Sequence, residues 1–232
     1  CYNNISNIYL NEIIGPKCDC IFATENMQIN SNVKLCKQEY NLSSGLILLN
    51  GAILDCNGAL LYGPGTGIGI NFNGAVNSLV KNCNIENYET GVYFSTKYEK
   101  IGYNNFVYTS NNNKLENLKI SNVDYGIYIQ DNSRSEYIVN SSIIARNYSI
   151  YNSVSYFIDA RNNFWGTINE TEIENKFLNK ENISYIPYIN DTIIDFEINE
   201  NDIKFSKEHS KNYVYLDIKK TEVRYNSDWL DK

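Results

Sequence analysis

Two carboxylates stand at the same distance from a recurring glycine: Glu89 two residues before Gly91, and Asp124 two before Gly126. If those glycines mark equivalent points on successive turns of a repeating structure, the two acids lie side by side. Glycoside hydrolysis needs such a pair, with carboxyls about 5–9.5 Å apart across the scissile bond. The other acids of this region (Asp55, Glu86, Glu116, Asp131, Glu136 and Asp159) are scattered, and the single histidine, His209, lies far downstream. Glu89 and Asp124 are therefore the catalytic candidates, with solvent-facing bend residues as the simpler reading. A lyase-type base fares no better: the arginines near this region are Arg134, Arg146 and Arg161, and Arg161 reads as a hydrogen-bonding cap. Copper sites need clusters of His, Met or Cys. With one His and one Met in the chain, no metal or cofactor is expected.

Tyrosine is the residue type that leans towards function. There are 20, and Tyr88, Tyr93, Tyr98, Tyr103, Tyr108, Tyr125, Tyr128, Tyr137, Tyr148, Tyr151 and Tyr156 recur through the middle of the chain. Exposed aromatic rings bind sugar faces and bury well at protein contacts. Tyr93 and Tyr128 stand two residues after a glycine, and Tyr151 two after Ser149. Successive strand residues point to opposite faces, so the aliphatic set Ile68, Val92, Ile127 and Ile150 faces away from the tyrosine set. The more apolar ladder is assigned to the core. That leaves Tyr93, Tyr128 and Tyr151 as an outward stripe and as the candidate ligand-binding residues; a decorated surface without a ligand is the plainer alternative.

The elements that would position these residues are repeats. Gly67-Ile68-Gly69-Ile70, Gly91-Val92-Tyr93-Phe94, Gly126-Ile127-Tyr128-Ile129 and Ser149-Ile150-Tyr151-Asn152 are versions of one strand opening, at spacings 91−67=24, 126−91=35 and 149−126=23. Asn82, Asn117 and Asn140 each stand nine residues before an opening, which suits an internal amide ladder at a coil corner. Self-similarity at this period marks a solenoid, one structural coil per repeat. The 35-residue step is one coil plus an insertion of roughly a dozen residues, near Thr96 to Asn105. Short alternating segments such as Leu46-Ile47-Leu48-Leu49 and Tyr156-Phe157-Ile158-Asp159-Ala160 carry no helical periodicity and suit a parallel β-helix. Trp165 and Phe164 suit an apolar plug over the end of the stack. Further on, Thr171 and Glu174 stand at capping-box spacing and predict a short helix. The segments Ile193 to Ile198, Tyr213 to Ile218 and Glu222 to Tyr225 return to strand texture.

Bulk properties narrow the partners. Net charge is −7 and the sequence pI near 4.9, so the surface repels a phosphate backbone and nucleic acid is not expected. No apolar run approaches the ~20 residues of a membrane-spanning helix. The chain opens on Cys1, so a lipid anchor there is a further reading. All six cysteines (Cys1, Cys18, Cys20, Cys36, Cys56 and Cys83) fall in the first 83 residues, which suggests disulfides that staple one end. Zinc is the competing reading, although the Cys18-Asp19-Cys20 step is poor for a zinc knuckle; six cysteines allow fifteen pairings. Seven N-x-S/T sequons, at Asn4, Asn41, Asn140, Asn147, Asn169, Asn182 and Asn190, are glycosylation candidates on an extracellular route.

The phrases Ala52-Ile53-Leu54-Asp55-Cys56-Asn57-Gly58, Val80-Lys81-Asn82-Cys83-Asn84-Ile85 and Tyr88-Glu89-Thr90-Gly91-Val92-Tyr93 resemble the right-handed parallel β-helix repeat family. The resemblance is to the copper-binding-like and carbohydrate-binding-like repeats of archaeal and bacterial surface proteins. Asp159-Ala160-Arg161-Asn162-Asn163-Phe164-Trp165-Gly166-Thr167 is similar to the family's closing segment, and Tyr185-Ile186-Pro187-Tyr188 to the phrase that follows it. The likeness spans about residues 18 to 190. It implies a fold and says little about activity, since one fold hosts many functions.

The expectation is an all-β, right-handed parallel β-helix of about six coils over 21–166. A lead-in or cap precedes it at 1–20, a capping helix and connector follows at 167–190, and a β-rich tail occupies 191–232. Its expected work is structural or adhesive, at an extracellular surface, with the chain itself or surface glycans as partner. A glycan-binding module on the tyrosine stripe is the alternative; a polysaccharide lyase or hydrolase stands behind both.

Overall fold

A computed structural model describes residues 19–101, 104–130, 133–154 and 156–189, together with 203–206 and 213–216. The chain divides into two compact units, residues 1–193 and 194–232. In the first, short strands recur in the same order on every coil and stack in parallel, giving a β-solenoid of about seven turns.

Three faces make up each coil. The first face is built from Gln28–Ile29, Leu46–Leu48, Ile68–Asn73, Thr90–Ser95, the later parts of Lys119–Ile129 and Ser142–Asn152, and Phe177–Leu178. The second is a seven-stranded sheet of Asn32–Lys34, Ile53–Asp55, Leu79–Lys81, Lys114–Glu116, Tyr137–Val139, Ile158–Asp159 and Ile183–Ser184. The third stacks Glu39–Asn41, Leu60–Tyr62 and Asn84–Glu86 on the opening parts of the two 11-residue strands, which bend round a corner to serve two faces. The last rung, Phe177 to Ser184, lies beyond the coils expected from the repeat. Its strands are two residues long and carry no alternation to read.

The interior consists of ladders of like side chains. Leu46, Ile70, Val92, Ile127 and Ile150 share one column, and Leu48, Phe72, Phe94 and Ile129 another, all buried. Each such side chain contributes roughly 1.5–3 kcal/mol on leaving water. The register corrects one phase. Thr90 pairs with Ile68 and Val92 with Ile70, so Gly69, not Gly67, matches Gly91, and Ile70, not the half-buried Ile68, joins the core. Gly67-Ile68-Gly69-Ile70 repeats itself every two residues, so its text fits either phase.

That register places Gly45, Gly69, Gly91, Gly126 and Ser149 in one column at the corner before the first face. A Cβ on Gly69 would lie 2.8 Å from the Gly91 carbonyl oxygen, one on Gly91 2.7 Å from that of Gly126, and one on Gly126 2.6 Å from that of Ser149. At the four glycine rungs the coils therefore approach each other backbone to backbone more closely than a Cβ allows, and Ser149 ends the column.

Asparagine turns the other corners. Among the described residues, every non-glycine position with positive φ is Asn except Ser135, as expected for a side chain that tolerates left-handed backbone. Asn117 Nδ2 donates to Asn82 Oδ1 at 2.7 Å, and Asn82 Nδ2 to Asp55 Oδ1 at 2.9 Å. This ladder sits half-buried on the corner and not in the interior, because inward positions beside it belong to Cys83 and Leu118. The exposed Asn140 continues the turn through its backbone, its amide bonding Asn162 O.

The insertion is an antiparallel hairpin, Lys97–Ile101 with Asn104–Tyr108, between the first and second faces. Its base packs on Gly74, where a Cβ would strike Tyr108 and Lys97. The short helix spans Glu170–Glu174, and its cap is Asn169, whose Oδ1 accepts from the Thr171 and Glu172 amides. Thr171 thus lies inside the first turn, the cap being two residues earlier than the capping-box reading. Trp165 is buried, edge-on to Phe177 at 4.8 Å, and Phe177 meets Tyr185 at 5.2 Å. In the second unit, Ile203–Ser206 pairs antiparallel with Tyr213–Leu216. The expected strands Ile193 to Ile198 and Glu222 to Tyr225 lie outside the described residues.

Four cysteines form two disulfides, Cys20–Cys36 and Cys56–Cys83. The second is buried and ties consecutive coils. Cys1, with its suggested lipid anchor, and Cys18 lie outside the described residues. Disulfides persist in oxidising compartments, so the pair of them indicates a non-cytosolic protein. Among the described residues no helix is long and apolar enough to cross a membrane.

Candidate functional site

The first face carries the strongest surface feature. Alternation sends Val92, Ile127 and Ile150 inward and Tyr93, Tyr128 and Tyr151 outward, in register on three consecutive rungs. Tyr128 stacks on Tyr151 with centroids 4.5 Å apart, and Tyr93 meets Tyr128 edge-on at 5.2 Å. Tyr125 and Tyr148 form a second column beside them, stacked at 6.5 Å, and each is edge-on to Tyr151 at 5.4 and 5.6 Å. The stripe is therefore a five-ring patch.

Tyr125 and Tyr148 stand one residue before Gly126 and Ser149, so a reading centred on the position after the glycine does not group them with the others. Their one shared signal is that a tyrosine precedes the column glycine or serine on two successive coils. All five rings are half-buried. Burial first, and then the neighbouring tyrosine hydroxyls, raise the Tyr128 phenol above its ordinary value. The Tyr93 hydroxyl donates to Gln130 Oε1 at 2.6 Å. Tyr88, grouped with these by recurrence, is in the core instead, its ring filling the space left by Gly63 and Gly69.

Glu89 and Asp124 do share a phase. Both the Asp124 and Tyr125 amides donate to Glu89 O, at 3.0 and 2.9 Å, across adjacent coils. The Asp124 carboxylate is taken up by Arg146, whose Nε lies 2.7 Å from Oδ1. Glu89 is solvent-exposed on the same corner. The two positions are neighbours along the corner through their backbones, and the Asp124 carboxylate is already engaged by a cation.

Of the sequons, Asn41, Asn140, Asn147 and Asn169 are exposed and Asn182 is half-buried. Asn4 and Asn190 lie outside the described residues. Elsewhere, Glu136 is buried in the interior, where desolvation pushes its carboxyl up to about 8. Arg161 grips Asp159 through two hydrogen bonds, holding that carboxyl below its ordinary range.

No protein-family model, curated protein or solved structure matches the chain.

Proposed function

We propose that this protein is a structural or adhesive module of an extracellular surface, which makes its contacts through the tyrosine face and takes a second copy of itself as partner. The five mutually packed rings carry this reading. Tyrosine offers large contact area at small entropic cost, and rings already held by their neighbours lose little further freedom on binding. Stacking along the solenoid axis uses up ring faces and leaves edges and hydroxyls outward, a rim that an identical face can meet in an isologous contact. The disulfides and the exposed sequons agree with an extracellular setting, and the repeat phrases resemble those of β-helix surface proteins. The test is the triple replacement of Tyr93, Tyr128 and Tyr151 with Ala, followed by cross-linking of the purified chain. Unchanged self-association in a folded triple variant removes the face from the account.

A second reading keeps the same face and changes the partner to a surface glycan. It is favoured by the hydroxyl-rich rim and the neighbouring Gln130 amide, which suit sugar hydroxyls. A glycan screen of the same variant separates the two.

A further inference from the structure

The second face carries a separate arrangement. On three consecutive rungs the outward positions run Lys114, Tyr137 and Asp159 in one column, with Glu116 and Val139 side by side in the next. Each flanking rung closes an ion pair on itself. Lys114 Nζ lies 2.9 Å from Glu116 Oε2; Arg161 donates from Nε to Asp159 Oδ1 at 2.8 Å and from its terminal nitrogen to Oδ2 at 2.7 Å. The rung between them is uncharged, with Tyr137 44% exposed and Val139 half-buried. The result is an open groove of about 310 Å³ over Tyr137 and Val139, with Lys114 on one wall and Asp159, Arg161 and Asn162 on the other.

The chemistry narrows the occupant. An added peptide strand needs free backbone groups at a sheet edge, and Tyr137–Val139 is paired on both sides. A charged ligand would have to compete for a cation or carboxylate that already has its partner. What remains is a molecule with an apolar face and a polar perimeter that is neutral overall. A pyranose ring fits that description: its C–H face lies against an aromatic ring, and its hydroxyls both donate and accept at its edges. Neighbouring strands are about 4.8 Å apart, so a ring seated on Tyr137 brings its hydroxyls to both walls.

We propose that this groove, formed by Tyr137 and Val139 between the Lys114–Glu116 and Asp159–Arg161 pairs, binds one residue of a neutral saccharide. The site is independent of the tyrosine face and of self-association. The test is saturation-transfer NMR on the full chain with neutral gluco-, manno-, galacto- and N-acetylglucosamine oligosaccharides as probes. The expected result is transfer to the ring C–H protons of at least one probe. It is abolished by Tyr137→Ala, kept by Tyr137→Phe and weakened about tenfold by Arg161→Gln, which removes charged hydrogen-bond donors. The Tyr93, Tyr128 and Tyr151 triple variant binds as the parent does. Circular dichroism on each variant confirms the fold, and the exposed position of Tyr137 favours its survival. Absence of transfer to every neutral probe overturns the proposal, as does binding that survives Tyr137→Ala or that is confined to uronic acid oligosaccharides added as a comparison.

Discussion

The backbone amide of Asn113 donates to Glu136 Oε2 at 2.9 Å and its side-chain amide to Oε1 at 3.4 Å, in an interior that leaves Glu136 1% exposed. Asn113 also spends Oδ1 on the Ser78 amide and Nδ2 on Ala75 O. Ser78, Asn113 and Glu136 thus form one inward polar column across three coils, and the next rung closes it with Ile158. Desolvation outweighs the Asn113 hydrogen bonds, which favour the charged form, so this carboxyl favours its neutral form.

Stability therefore depends on pH through Glu136. Its folded-state pKa, about 8, lies above the ordinary carboxyl value of 4.5. Between those values the folded chain holds a proton that the unfolded chain has released. The Glu136 contribution is fully present below pH 4.5, declines as pH rises and is lost through about pH 8. Thermal melts from pH 4.5 to 9 should show this fall, and Glu136→Gln, which stays neutral, should flatten it. A parent and variant with parallel profiles would contradict the assignment.

The glycine column should be intolerant of even one methyl. Gly91→Ala would bring Cβ to 2.7 Å from both Gly126 O and Ile120 Cγ2, and overpacking of this kind costs about 1–3 kcal/mol. Gly51, by contrast, has φ +69° and open space within 4 Å of the point where a Cβ would stand, at a corner where the next coils use Asn77 and Asn112. Gly51→Asn should therefore stay within about 0.5 kcal/mol of the parent. Urea unfolding of both variants checks the contrast.

Reduction should loosen the amino-terminal coils. Cys56–Cys83 closes a chain separation of 27 residues, and a loop of that length stabilises by about 3–4 kcal/mol in the chain-entropy account. The Cys56→Ser, Cys83→Ser double variant should melt lower than the parent by a margin that a surface double variant does not reproduce.

How far the text revealed this molecule depends on where a signal repeats. Glycine, aliphatic and tyrosine positions return coil after coil, so the solenoid and the outward Tyr93, Tyr128 and Tyr151 were legible. The insertion showed as a lengthened period. The phase at Gly67 and Gly69 was not legible, because a two-residue repeat within the phrase matches itself. Tyr125 and Tyr148 were hidden by standing before the corner, where alternation breaks. Glu136 was hidden more deeply: an acid just before a strand reads as a solvated bend, and only the register that lines it up with Asn113 and Ser78 turns it inward. The groove at Tyr137 was hidden for the same reason, since its floor and two walls come from three coils, and the walls stand 159−116=43 or more positions apart.

The most direct test of the tyrosine face as a contact surface is light scattering after size separation, on the parent and on the Tyr93, Tyr128 and Tyr151→Ala variant. Concentration should span a hundredfold range. The parent should grow beyond a 26.7 kDa chain as concentration rises, while the variant should keep that mass throughout. A parent that holds the single-chain mass at every concentration, or a variant that assembles as the parent does, would contradict it.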